Sequence, residues 1–198
     1  MRSADRTRRE AVRSGSIAAG AVLATATAPV LLRVADALAD DGDDRAIIES
    51  AIAAEQTAAV AYGAAAGSSL LTKPLVDVAM LFHDQATAHA VAFGRELRAL
   101  GGKGPTPPRE EDVKGLAAVR TEAEFLEFAI GFENSAVRAY LEALQGLQTP
   151  ALLETVARIM ASAGQHLVVL RQALSAGPTD WVPDAFETGT SPPPVLSS

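Results

Sequence analysis

Two glutamates and two histidines hold positions from which they could do chemistry together. Glu55, His89, Glu133 and His166 each sit in the apolar stripe of a separate predicted helix. An ionised carboxylate buried without a partner costs on the order of several kcal/mol, so these groups must compensate one another or share a cation. Two arrangements meet that requirement. Two carboxylates balance one divalent ion, and two neutral imidazoles complete a four-ligand set for Zn, Mn or Fe(II). Without metal, each histidine can be protonated beside a glutamate, which leaves a neutral buried network. Gln85 and Ser162 stand four residues before the two histidines on the same helix faces, within hydrogen-bonding reach of either arrangement. Tyr62 and Tyr140 lie two turns beyond the glutamates. Each reads as a core tyrosine with its hydroxyl paired, the alternative being redox chemistry beside an oxidising metal.

The elements that must position these residues repeat. Glu55-x-x-Ala58-x-x-Ala61-Tyr62 returns as Glu133-x-x-Ala136-x-x-Ala139-Tyr140, and His89 is followed by Leu97 just as His166 is followed by Leu174. A duplicated helical hairpin fixes the architecture as all-α, a four-helix bundle made of two related hairpins. The first helix runs from about residue 45 through Ile48, Ile52 and Ala59, with Gly63 and Gly67 expected to loosen its end. Thr72 and Pro74 open the second, which carries Leu75, Val78, Phe82 and Phe93 and stops at Gly101-Gly102. Thr121 to Glu124 is a capping-box pattern for the third. Thr149-Pro150 opens the fourth, which ends at Gly177-Pro178. Between the hairpins, residues 101–119 hold Pro105, Pro107, Pro108 and the acidic run 110–112. Adjacent antiparallel helices need only about two to eight linking residues, so this segment predicts a crossover along the bundle with a solvated acidic stretch. His83 and Asp84 fall off the His89 face and read as a solvated pair.

Composition sets the outer bounds. At 198 residues with 48% hydrophobic but only 5% aromatic content, one domain with an Ala-, Leu- and Val-rich core is expected. The absence of cysteine excludes disulfides and thiolate chemistry. A net charge of −7 makes nucleic acid a poor partner. No phosphate-binding glycine loop and no Ser-His-Asp spacing is present, so hydrolase chemistry has no support.

The first forty residues stand apart from the bundle. A basic start, an uncharged run from Ser14 to Leu32 and small-x-small sites ending at Ala37 and Ala39 make a secretory signal. Thr7-Arg8-Arg9 with Val12 and Arg13 resembles a bacterial twin-arginine signal, departing from it at Ala11 where Phe is usual. That resemblance implies the twin-arginine export machinery as a partner and folded export to an extracytoplasmic location. An uncleaved signal would leave a membrane anchor. The domains expected are a signal over 1–39, an acidic linker over 40–44, the bundle over 45–177 and a Pro-rich tail over 178–198.

The order Glu, His, Glu, His along four helices, with the paired spacing and the export signal, resembles the ferritin-like superfamily and its exported bacterial ferritin-like domain proteins. The resemblance covers about residues 45–176 and implies a long-crossover bundle. In that family a Glu-x-x-His motif on two helices completes a two-metal centre. Here Ala86 and Ala163 stand three before the histidines, where the resemblance places the bridging glutamates. The expectation is therefore a degenerate site holding either no cofactor or one divalent metal (Fe, Mn or Zn), and a structural, ligand-binding or stress-related protein rather than a ferroxidase. A metal-binding redox or storage protein built on the Glu/His quartet is the competing expectation. A homo-oligomer is compatible with the fold, but no cage-forming surface is evident.

Overall fold

The computed structural model of the chain describes residues 43–174 together with 177, 179, 181–182 and 186–190. The expected signal over 1–39, and with it the anchor alternative, lies outside the described residues. Four long helices follow in order: α1 (Asp44–Gly67), α2 (Lys73–Ala99), α3 (Glu122–Gly146) and α4 (Pro150–Leu174). No strand occurs among the described residues. Helix α1 packs along α2 and α3 along α4, and the two hairpins meet through α1–α3 and α2–α4. The four-helix bundle expected from the duplicated sequence is present.

Direction within the bundle follows from side chains. Tyr62 of α1 bonds to Glu133 of α3, while Tyr140 of α3 bonds to Glu55 of α1, so these helices run antiparallel. Helices α2 and α3 then point the same way, and residues 100–121 must return along the bundle, roughly 37 Å for a helix of this length. The link makes the passage with two short 3₁₀ turns, Glu110–Asp112 and Leu116–Ala118, and anchors through the buried side chains of Val113 and Val119. Its acidic run stays exposed, as expected.

The helix ends are chemically specified. Thr121 Oγ1 accepts from the Glu124 backbone N–H at 3.2 Å, and the Glu124 carboxylate accepts from the Thr121 N–H at 3.1 Å, closing the capping box. Asp43 caps α1 by accepting from the Arg45 N–H at 2.9 Å. Asp44 accepts from the N–H groups of Gln148 and Thr149 at 2.8 and 2.9 Å. Of the last two residues of the acidic stretch, Asp43 therefore caps α1 and Asp44 fastens it to the turn that leads into α4. Gly63 does not loosen α1, which continues to Gly67. It makes room instead: a Cβ there would stand 3.1 Å from the His83 ring. Accordingly His83 and Asp84 are not a solvated pair. His83 is half-buried and its Nδ1–H donates to the Ala59 carbonyl at 2.8 Å, because the small residues of α1 admit the ring.

Two apolar clusters fill the bundle. One gathers Tyr62, Phe82, Phe125, Phe128 and Leu167; the other gathers Ile48, Phe93, Leu97, Tyr140 and Val156. The division between them falls at the level of Glu55 and Glu133, where polar groups interrupt the core.

Part of the proline-rich tail docks. Arg138 donates to the Gly189 carbonyl at 2.8 Å, and the Glu187 carboxylate lies 3.7 Å from the buried Arg171 guanidinium. Gly189 has φ +74°, and a Cβ there would sit 2.0 Å from the Asn134 carbonyl oxygen of α3. Substituting Gly189→Ala is expected to lift this segment off α3 and to destabilise the fold by about 0.5–3 kcal/mol. Limited proteolysis should then cut the tail faster while the bundle survives; an unchanged cutting rate would contradict the docking.

Candidate functional site: a buried Tyr-Glu-His centre

Each residue of the quartet reaches the middle of the bundle from a different helix. Glu55, Glu133 and His166 are buried and His89 is half-buried. They come together as two pairs, one within each hairpin. His89 Nδ1 lies 3.2 Å from Glu55 Oε2, and His166 Nδ1 lies 3.1 Å from Glu133 Oε1. A carboxylate only accepts, so each Nδ1 carries the hydrogen. The tyrosines then join the halves. Tyr62 donates its hydroxyl to Glu133 Oε1 at 2.6 Å, and Tyr140 donates to Glu55 Oε1. Each glutamate is thus held by a histidine of its own hairpin and a tyrosine of the other.

Burial is the main cause that pushes both tyrosine hydroxyls well above their ordinary pKa, with the charge of Glu133 next for Tyr62 and that of Glu55 next for Tyr140. A tyrosine so placed stays neutral and remains a donor. This is the paired core tyrosine expected from the spacing.

The two halves differ around their histidines. Gln85 and Ser162 both serve His166: its Nε2 lies 2.5 Å from Gln85 Oε1 and 3.4 Å from Ser162 Oγ. The Phe82 ring stacks on the same imidazole, with centroids 3.8 Å apart and planes 22° from parallel. Nδ1 of His166 therefore faces Glu133 while Nε2 has polar partners in Gln85 and Ser162. His89 has one carboxylate contact and an edge nearer solvent.

Between the pairs lies a cavity of about 10 Å³, lined by the quartet together with the buried Ala86 and Ala163. That is roughly the room one water needs. The alanine methyls face it from α2 and α4. Both Glu55 oxygens are engaged, and Glu133 Oε1 takes two hydrogens. Among the described residues no group of three or more His, Asp or Glu side chains is gathered as a metal-ligand set. The donors that line this cavity are two carboxylates and two imidazoles, with methyl groups at positions 86 and 163. The residues present do not fit a two-metal centre.

A second and larger cavity, about 450 Å³, opens between α1, α2 and the link near Gly104 and Pro107. Gln56, His83 and Arg98 border it, and none of them stood out in the sequence as a site residue. The signal available was Gly94, one turn before Arg98 and small enough for that arginine to fold back over it.

The profile of a family described as a ferritin-like domain matches residues 43–176. No curated protein and no solved structure matches the chain.

Proposed function

The chain belongs to the ferritin-like domain family, and from that premise we propose that it is an exported member whose centre is sealed by hydrogen bonds rather than built for two-metal oxidation. On this reading the bundle is a binding scaffold, made for a stress-related or ligand-carrying role outside the cytoplasm. The observation that carries it is the hydrogen bonding of both carboxylates. Each is already taken by a tyrosine and a histidine, and alanines occupy the two positions from which further carboxylates would enter the cavity. Such a centre ties the hairpins together, because every tyrosine–glutamate bond crosses from one to the other. The Thr7-Arg8-Arg9 signal supports export.

The competing chemistry is a single divalent ion held by Glu55, His89, Glu133 and His166. It would have to displace the hydrogens now donated by His89, His166 and the tyrosines. Metal analysis separates the two. The full chain, purified after expression with added iron, manganese and zinc, is expected to contain far less than a stoichiometric amount of any of them and to show no iron oxidation above buffer. A stoichiometric ion that stabilises the fold, or a coupled two-iron spectroscopic signature, would overturn the sealed-centre reading.

A further inference from the structure

The outward face of α2 carries more apolar surface than the bundle calls for. Five large hydrophobic side chains are exposed among the described residues, and Val182 and Phe186 belong to the tail. The other three stand on α2: Met80, Leu81 and Val91, at 42, 52 and 48% exposure. With the exposed Asp84, Ala88 and Arg95 they fall within about 100° of the helix circumference, in one stripe about 22 Å long. The duplicated hairpin supplies a control. Counted from His89 and His166, the positions of Met80, Leu81, Asp84 and Arg95 on α2 are those of Ala157, Arg158, Ala161 and Gln172 on α4. Both helices serve the same core, yet the stripe on α4 is ordinary solvated surface, with Arg158 paired to Glu154. Folding the bundle therefore does not demand the residues that mark the stripe on α2.

The charges on the stripe indicate what covers it. Asp84 lies toward the start of α2 and Arg95 toward its end, and neither forms an ion pair among the described residues. Each is about 8 Å along the helix from the point midway between Ala88 and Val91. The stripe is thus complementary to itself when reversed. We propose that it binds a second copy of the chain, α2 against α2 in antiparallel fashion about a two-fold axis at Ala88 and Val91. Ala88 then meets the partner's Val91, Asp84 meets the partner's Arg95, and both contacts occur twice. A parallel pairing would set Asp84 on Asp84 and Arg95 on Arg95, which like charge opposes. The small Ala88 side chain lets the helices approach at the axis. Contact between identical patches closes at two copies and builds no shell. A strip about 10 Å wide covers far less than the roughly 800 Å² per partner of a standard interface, so the dimer is expected to dissociate on dilution.

Sedimentation equilibrium of the full chain, from about 1 μM to about 500 μM, tests this. A reversible monomer–dimer equilibrium with no larger species is expected. Leu81→Gln, Asp84→Arg and Arg95→Asp should each weaken the dimer by about tenfold or more. All three positions are exposed, so the variants should keep their helicity and unfolding midpoint. Mixing equal amounts of the Asp84→Arg and Arg95→Asp chains should restore association, because each reversed charge then meets its opposite on the other copy. The double variant Asp84→Arg/Arg95→Asp should likewise dimerise with itself. A chain that stays monomeric throughout, or association that ignores all three substitutions and so runs through another surface, would overturn the proposal. So would charge variants that weaken the dimer but recover neither on mixing nor in combination, since only the antiparallel register predicts that recovery.

Discussion

Glu133→Ala is expected to be the most destabilising single substitution in the centre, costing on the order of 3–5 kcal/mol. The substitution removes an acceptor shared by two buried donors, Tyr62 and His166. What remains is a tyrosine hydroxyl and an imidazole Nδ1–H, both without their acceptor and both away from water. Most of the cost is the penalty of those orphaned groups rather than the lost attraction itself. Glu55→Ala removes an equivalent carboxylate but should cost less. His89 has a side chain 19% exposed, against 8% for His166, so water can take over part of what Glu55 supplied. Urea unfolding of the two variants would measure the difference. Replacing the group together (Glu133→Leu, His166→Leu and Tyr62→Phe) should recover part of the loss, since no polar atom of the trio is then left unmatched and only the half-buried Gln85 and Ser162 lose their contact with His166. A Glu133→Ala variant within about 1 kcal/mol of the native chain would mean that the centre holds nothing together.

The difference between the two halves shows where sequence reading reached its limit. The duplicated Glu-x-x-Ala-x-x-Ala-Tyr units place the four polar residues on buried stripes, because helical periodicity is local and survives translation into structure with little change. They also predict two hairpins, and the long link predicts the crossover between them. Which tyrosine meets which glutamate is not local. It depends on the antiparallel alignment of α1 with α3, and only the packed bundle reveals that each tyrosine serves the other hairpin's carboxylate. Equivalence of the halves was likewise a fair expectation from the repeat, yet Gln85 and Ser162 converge on one histidine. Gln85 projects from α2 toward α4, the helix beside it, so its partner is His166 rather than the histidine one turn along its own chain.

The same distinction accounts for Gly63 and His83. A glycine near a helix end reads as a stop when only chain-local preferences are weighed. Here it admits a ring from the neighbouring helix, a tertiary demand that overrides the propensity. The groove beside it was illegible for a related reason. Its walls come from α1, α2 and the link, and no one segment shows enough of them to suggest a concavity. By contrast the capping box at Thr121 involves only neighbouring residues, and it stands as the sequence predicted.

Alkaline pH should unfold the protein through its two tyrosines. Both folded pKa values lie well above the model-peptide value near 10, chiefly because burial penalises the phenolate and a glutamate beside each repels it. In the unfolded chain each hydroxyl titrates near pH 10, roughly. Above that pH the folded state still holds two protons that the unfolded state releases, so stability falls as pH rises. The contribution is fully present below about pH 10 and is lost toward the folded pKa, with a slope of about 1.4 kcal/mol per pH unit for each tyrosine, or about 2.7 for both. The chain contains only these two tyrosines, so tyrosinate absorbance reads the centre without interference from any other phenol. On raising the pH, that absorbance is expected to stay flat until the helices melt and then to appear together with the loss of circular dichroism. Tyr62→Phe or Tyr140→Phe alone should halve the alkaline slope, and the double variant should abolish its tyrosine part. Reversible ionisation near pH 10 in a chain that is still helical would show that water reaches the hydroxyls, and would remove the physical basis for a sealed centre.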